Sequence, residues 1–270
     1  MFAGHVGANG EDKNTPALAS LEETIQIALK YNPDQDPEEI IFSVKENYYL
    51  IQLKHTQLEV VDEVRGHFET AIEKAQEKME SDESDITQSQ ITKLKLGHAG
   101  ALNDIVKHES ASKTAKLTLG NLIGEELNSD IQLTDNKLVP LKFPYKTLEN
   151  YLAYRKKNSS GASNKGTSSK ESKGGPGQLV KRMDREKLFS LYEIYIELDK
   201  KRGIMAIAKK NRKITRALLI TELANYDFGI GSSADLFEAL MIYTRLLSGY
   251  YQTIYDFNLA IAKLEKMYSN

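Results

Sequence analysis

The sequence contains no cysteine, which excludes a disulfide framework, a thiol nucleophile and a lipid-modified cysteine anchor. It also lacks an excess of either charge. Lysine and arginine number 36 and aspartate and glutamate 38, a formal net charge of -2. Without a basic footprint, nucleic acid is not an expected partner. No run approaches the ~18 consecutive apolar residues that a membrane-spanning helix needs. The opening "MFAGHVGANGEDKNTPALAS" has no basic start followed by an apolar stretch, so it does not read as a signal peptide. Residues 1–19 read instead as a flexible leader.

What is present is helical periodicity. Across 270 residues the hydrophobic content is 40% and the charged content 27%, enough for a core with a solvated surface. From Glu38 to Met79, Val44, Tyr48, Ile51, Val61, Phe68 and Ala75 fall at helical spacing, with one slip near Leu58 of the kind a coiled-coil stutter makes. A second series, Ile91, Leu94, His98, Ala101, Ile105, His108, Ser112, Ala115 and Leu119, alternates steps of three and four. That is a heptad seam whose small and polar members favour close packing. The spacing predicts two further long helices, from about Val180 to Tyr226 and from about Ser232 to Tyr268. Helices of that length are about 60 Å long at ~1.5 Å per residue.

Short helix starts also recur. "SLEETIQIALKYNP" from Ser20 and "TLENYLAYRKKN" from Thr147 each place a hydroxyl N-cap before Leu-Glu. Thr87 with Gln90, and Ser232 with Asp235, have capping-box spacing at two later restarts. Gln90 and Asp235 lie 235 − 90 = 145 residues apart, and Tyr49 and Tyr195 lie 195 − 49 = 146 apart. The pattern reads as a duplicated helical hairpin. The expected class is all-α: long antiparallel hairpins in two tandem repeats, with little or no strand. Residues 20–138 form the first repeat and 139–157 the start of the second. Residues 158–178, rich in Ser, Gly and Lys, form a disordered linker, and 179–270 the second hairpin.

Catalytic chemistry finds no support. "GIGSSA" loosely matches a phosphate-binding G-x-G-x-x-A, but that fingerprint requires a preceding strand, and "RKITRALLITELANYDF" is helix-patterned. Gly229 and Gly231 are expected to supply positive φ at a tight helical turn. His98 and His108 sit in the seam without acidic or cysteine companions at metal spacing, and His55 and His67 have no partner pattern. No catalytic residue, metal site or cofactor is expected. Tyr243, Tyr250, Tyr251 and Tyr255 read as an aromatic stripe left for association.

Two repeats opening "(S/T)-L-E-x-x-(I/L)" resemble the TolC-type outer-membrane efflux channels. The most specific segments are "NYDFGIGSSADLFEALMIYTRLLSGYYQTIYDFNLAIAKLEKM" and "KLKLGHAGALNDIVKHESASKTAKLTLGNLIG". The resemblance implies a homotrimer in the periplasm and outer membrane. Its long helices would wall a tunnel, and its hairpin tips would meet a periplasmic adaptor (membrane fusion) protein of an inner-membrane pump. It places tunnel-entrance acids at Asp235 and Glu238, and the tip turn at Gly229, Gly231 and Ser232, with Ser84, Thr87 and Gln90 as the first-repeat counterpart. Asp235 reads equally as a helix cap, and the two roles are compatible.

One departure stands out. The family inserts a strand pair after each opening helix, whereas here Pro33 runs almost directly into "DQDPEEIIFSVKENYY" and Asn158 into the linker. Two strands of ~9–11 alternating residues do not fit either place. The expected function is the helical tunnel portion of an efflux or type I secretion channel, a passive conduit and not an enzyme. The alternative is a soluble helical scaffold without transport activity.

Overall fold

A computed structural model describes residues 17–18, 20–80, 86–125, 132–159 and 185–269. Six helices are found among them. They are α1 (Leu21–Tyr31), α2 (Pro37–Glu80), α3 (Gln88–Ile123), α4 (Leu148–Ser159), α5 (Arg185–Asp227) and α6 (Ser233–Ser269). The order short, long, long occurs twice. The one strand pairing among the described residues is parallel and two residues long, Ala17–Leu18 (β1) beside Gln132–Leu133 (β2). It therefore begins inside the stretch read as leader.

Local chemistry starts α1 and α4 where the sequence says it should. Ser20 makes a full capping box with Glu23, whose carboxylate is held below its ordinary pKa by the Ser20 hydroxyl and backbone N–H. Thr147 Oγ1 accepts from the N–H of Asn150 at 3.3 Å. Between α1 and α2 only residues 32–36 intervene, and Asp36 Oδ1 takes the N–H of Glu38 at 3.0 Å, with Pro37 at the first helical position. That connection leaves no room for a strand pair. Asn158 and Ser159 close α4 rather than opening the linker; residues 160–178 lie outside the described residues, as do 1–16 and 19 of the leader.

The long helices pair as α2 with α3 and α5 with α6, and α2 also packs along α6. Helix α1 lies on α2 and α3. With neighbours on several sides, α2 buries more than one stripe: Tyr48, Tyr49, Ile51, Gln52 and Leu53 are all buried. A single heptad seam does not describe it. The α3 seam closes at both ends, around Ile91–Leu94 and Ala115–Leu119, but is half-open at Ile105, His108 and Ser112. Burial, with Lys54 nearby, pushes the His108 imidazole below its ordinary pKa.

The tyrosine stripe corrects the expectation drawn for it. Tyr243 and Tyr250 are buried in the main core, and Tyr251 and Tyr255 pack against it. They serve this chain's own helices. The exposed apolar stripe lies on α5, where Phe189, Ile196, Ile207 and Ile214 are all 63–69% exposed. Their spacing of seven, eleven and seven residues keeps them within about 20° of one line along a 3.6-residue helix.

A connecting strap (residues 134–147) crosses the helices and ties the two hairpins together. Gln52 of α2 donates to the Asp135 carbonyl at 2.8 Å. Asn258 of α6, almost fully buried, donates to the Val139 carbonyl and accepts from the Leu141 N–H, both at 2.9 Å. Tyr195 and Arg202 of α5 donate to the Tyr145 carbonyl at 3.1 and 3.0 Å. Beyond the strap, Phe143, Tyr145, Tyr151 and Tyr195 join a second core with Leu148, Leu198 and Ile261. There the phenol of Tyr151 is driven well above its ordinary pKa by burial.

Candidate functional site

The site lies where the hairpins turn. Helix α5 ends in a Schellman motif: the N–H of Ile230 bonds to the Asn225 carbonyl at 3.0 Å and that of Gly229 to Tyr226 at 3.1 Å. The Gly231 N–H shares the Asn225 carbonyl at 2.9 Å. Gly229 has φ 75°, in the left-handed region that disfavours side chains. Gly231 does not have a positive φ, which corrects the shared role expected for the two glycines. It is required for space, because a Cβ there would sit 2.8 Å from Asn225 Cβ and 3.0 Å from its carbonyl carbon.

Helix α6 then starts under the control of Ser232. Its Oγ accepts from the Asp235 N–H at 3.1 Å and donates to Asp235 Oδ2 at 2.7 Å. The hydroxyl half of the capping box expected of these two residues is therefore present, while the Asp235 carboxylate takes the Ser232 hydroxyl rather than its backbone N–H. Glu238, one turn on, is exposed and lines an open groove of about 550 Å³ between α3 and α6 with Lys93 and Arg245. The acids of this region are thus interleaved with cations. At the first tip Thr87 and Gln90 form a full capping box, with the Thr87 N–H on Gln90 Oε1 at 2.7 Å. Ser84 lies outside the described residues.

The structure adds residues that sequence reading missed. Phe228 and Ile230 flank Gly229 and are 81% and 79% exposed. The Schellman hydrogen bonds hold the turn between them, so they form a rigid apolar knob. The signal was legible as two large apolar residues around a turn glycine, outside either seam. A second set fastens this tip to α2. The Tyr226 hydroxyl donates to the Ala71 carbonyl at 3.0 Å, Lys74 pairs with Asp227 at 2.6 Å, and Lys78 lies 5.4 Å from the Tyr226 ring centre. These partners are about 150 residues apart in sequence, and no local pattern marks them.

Farther along α2, His98 contacts Glu69 at 3.1 Å, and that contact, with Arg65 at 2.6 Å, holds the Glu69 carboxyl below its ordinary pKa. No group of three or more potential metal ligands occurs among the described residues, and no described helix is long and apolar enough to cross a membrane.

Two paired long hairpins with short helices at their open ends define the class: an all-α fold of the kind found in the helical part of outer-membrane channels. Solved structures bear this out. The chain is similar to CusC, which forms a transmembrane channel, with TM-score 0.62 and 11% identity over 92% of this chain and 72% of that one. It is similar to the outer-membrane channel OprN, with TM-score 0.62 and 8% identity over 92% and 69%. The outer membrane protein VceC of Vibrio cholerae gives TM-score 0.62 and 11% identity over 92% and 74%. No protein-family model matches the chain, and no curated protein matches it in sequence. The fold implied by the TolC-type resemblance is thereby shown, and the neighbours are channel proteins rather than enzymes.

Proposed function

We propose that this chain forms the helical wall of a passive efflux or secretion conduit, assembled as a homotrimer, whose hairpin tips dock a periplasmic adaptor serving an inner-membrane pump. The observation that carries this reading is the rigid tip that presents Phe228 and Ile230 to solvent. Apolar anchors on a preorganised turn bind with little ordering cost. The α5 stripe supports assembly, because a straight apolar line of this length is costly to leave in water and suits the flank of a second copy. In a trimer Asp235 and Glu238 would repeat around the axis and give the entrance a cation-attracting ring, moderated by Lys93 and Arg245.

The test pairs two variants with an adaptor from the same cell. Phe228→Ser with Ile230→Ser weakens adaptor binding by about tenfold or more, with little change in melting, since both side chains are already exposed. Asp235→Ala with Glu238→Ala changes cation block of the conduit more than it changes folding. If both pairs alter only thermal stability, the tip is a helix turn and nothing more.

A second reading, a helical scaffold without transport activity, is favoured by one feature: residues 32–36 join α1 to α2 directly. Ion conductance measured in planar bilayers separates the two readings. A protein that oligomerises and binds adaptor but never conducts is a scaffold.

A further inference from the structure

A groove runs between α2 and α5 with α6 as its floor, far from the tip turn. Its wider part encloses about 420 Å³ and its narrower continuation about 150 Å³; the two share Thr56, Glu59, Arg212 and Tyr251. A volume of this size is in the range of small-ligand pockets. The floor is apolar: Leu138, Tyr250 and Ile254 are buried beneath it.

The charges along its walls are not balanced. Glu63 is engaged by the Tyr243 hydroxyl at 3.0 Å, and Glu59 lies 3.7 Å from His55. The Arg212 guanidinium lies 5.1 Å from the Tyr250 ring centre, which leaves its hydrogen-bond donors for another group. Among the described residues, Arg212, Arg216 and Lys137 have no carboxylate within ion-pair distance of their side chains. Neither contact neutralises a carboxylate, so Glu59 and Glu63 offset two of the three cations, Arg212, Arg216 and Lys137, and the groove walls keep one positive charge in excess.

We infer that this groove binds an amphipathic organic anion, with its carboxylate or sulfonate on Arg212 and Arg216 and its apolar body along Leu138, Tyr250 and Ile254. A guanidinium pair recognises a planar or tetrahedral anion through several donors at once. The buried floor rewards removing a hydrocarbon chain from water. At 100° per residue, Arg212 and Arg216 point about 140–180° away from Ile207. The groove therefore stays open when the exposed α5 stripe is covered, and the proposal does not depend on the conduit reading.

The experiment is isothermal titration calorimetry of the full chain with octanoate and, as the neutral twin, 1-octanol. Octanoate is expected to bind saturably, to bind more tightly than octanol, and to weaken with added sodium chloride while octanol does not. Arg212→Gln with Arg216→Gln should weaken octanoate by about tenfold or more, the effect of losing a charge-assisted contact, with the helical circular dichroism signal retained. Should that variant fail to fold, the salt dependence in the unaltered protein decides. Ile207→Ser with Ile214→Ser, on the opposite side of α5, should leave octanoate binding intact. Absence of saturable binding, equal affinity for octanol, salt-independent binding, or loss of binding in the isoleucine variant would each overturn the proposal.

Discussion

The hydroxyl of Tyr226, at the end of α5, donates to the carbonyl of Ala71 in α2 at 3.0 Å, across 155 residues of chain. This is the innermost of three contacts that hold the second tip against the first hairpin, with Lys74–Asp227 and Lys78–Tyr226 outside it. Tyr226→Phe keeps the ring and removes only the donor. The expected loss is about 1 kcal/mol, because the Ala71 carbonyl keeps its helical partner. Amide hydrogen exchange at 225–231 should quicken; unchanged exchange there would mean the clamp does not restrain the tip.

Asn258 is the corresponding fastener for the strap. Asn258→Leu leaves the Val139 carbonyl and the Leu141 N–H without their partner, at about 1–3 kcal/mol for each group that water does not reach. Val139 is exposed, so its carbonyl can rehydrate and the total should fall near 2 kcal/mol. Urea unfolding gives the cost. Limited proteolysis should locate the new cleavage at 136–144.

Gly97 lets α3 approach the core closely. A Cβ there would lie 2.5 Å from the Phe68 ring and 3.0 Å from that of Phe237. Phe68 is almost wholly buried and cannot swing into solvent. Gly97→Ala should therefore destabilise by about 1–3 kcal/mol by overpacking, although alanine is the better helix former. Gly100→Ala, where nothing lies within 4 Å of the added atom, should stabilise slightly. A thermal melt of the two variants side by side checks the opposite signs.

Alkali should loosen the bundle. Burial, and after it the hydrogen bond to Glu63, raises the Tyr243 phenol from 10.0 to about 12; burial raises Tyr255 to about 12 as well. A folded-state pKa above the unfolded value means the native state holds the proton more tightly. The resulting stability is complete below pH 10 and is lost as pH rises from 10 towards 12. Unfolding midpoints measured across that window should fall, and Tyr243→Phe should make the fall shallower. An unchanged slope in the variant would show that Tyr243 is not among the groups responsible.

The α5 stripe makes a prediction about assembly. Ile207→Asp with Ile214→Asp places charge on the line that a second copy would cover, while both residues already face water in the single chain. Light scattering should show a concentration-dependent oligomer for the unaltered protein and a monomer for the variant, with melting of the monomer little changed. Persistence of the oligomer would move the interface to another face.

The sequence by itself determined the helices and their turns. Heptad spacing and the hydroxyl caps at Ser20, Thr87, Thr147 and Ser232 act within one or two helical turns, so they can be read without knowing what lies opposite. The resemblance to outer-membrane channels rested on the same segments, and the fold agrees with it. Only the tertiary structure decided which faces those helices would cover. It drew Tyr243 and Tyr250 inside, left Phe189, Ile196, Ile207 and Ile214 outside, and wrapped α2 on several sides. It also separated the two tip glycines, one needed for its φ and the other for the space beside Asn225. Periodicity tells that a stripe is apolar. Which neighbour removes it from water depends on contacts between residues a hundred or more positions apart, such as Tyr226 with Ala71 and Asn258 with the strap.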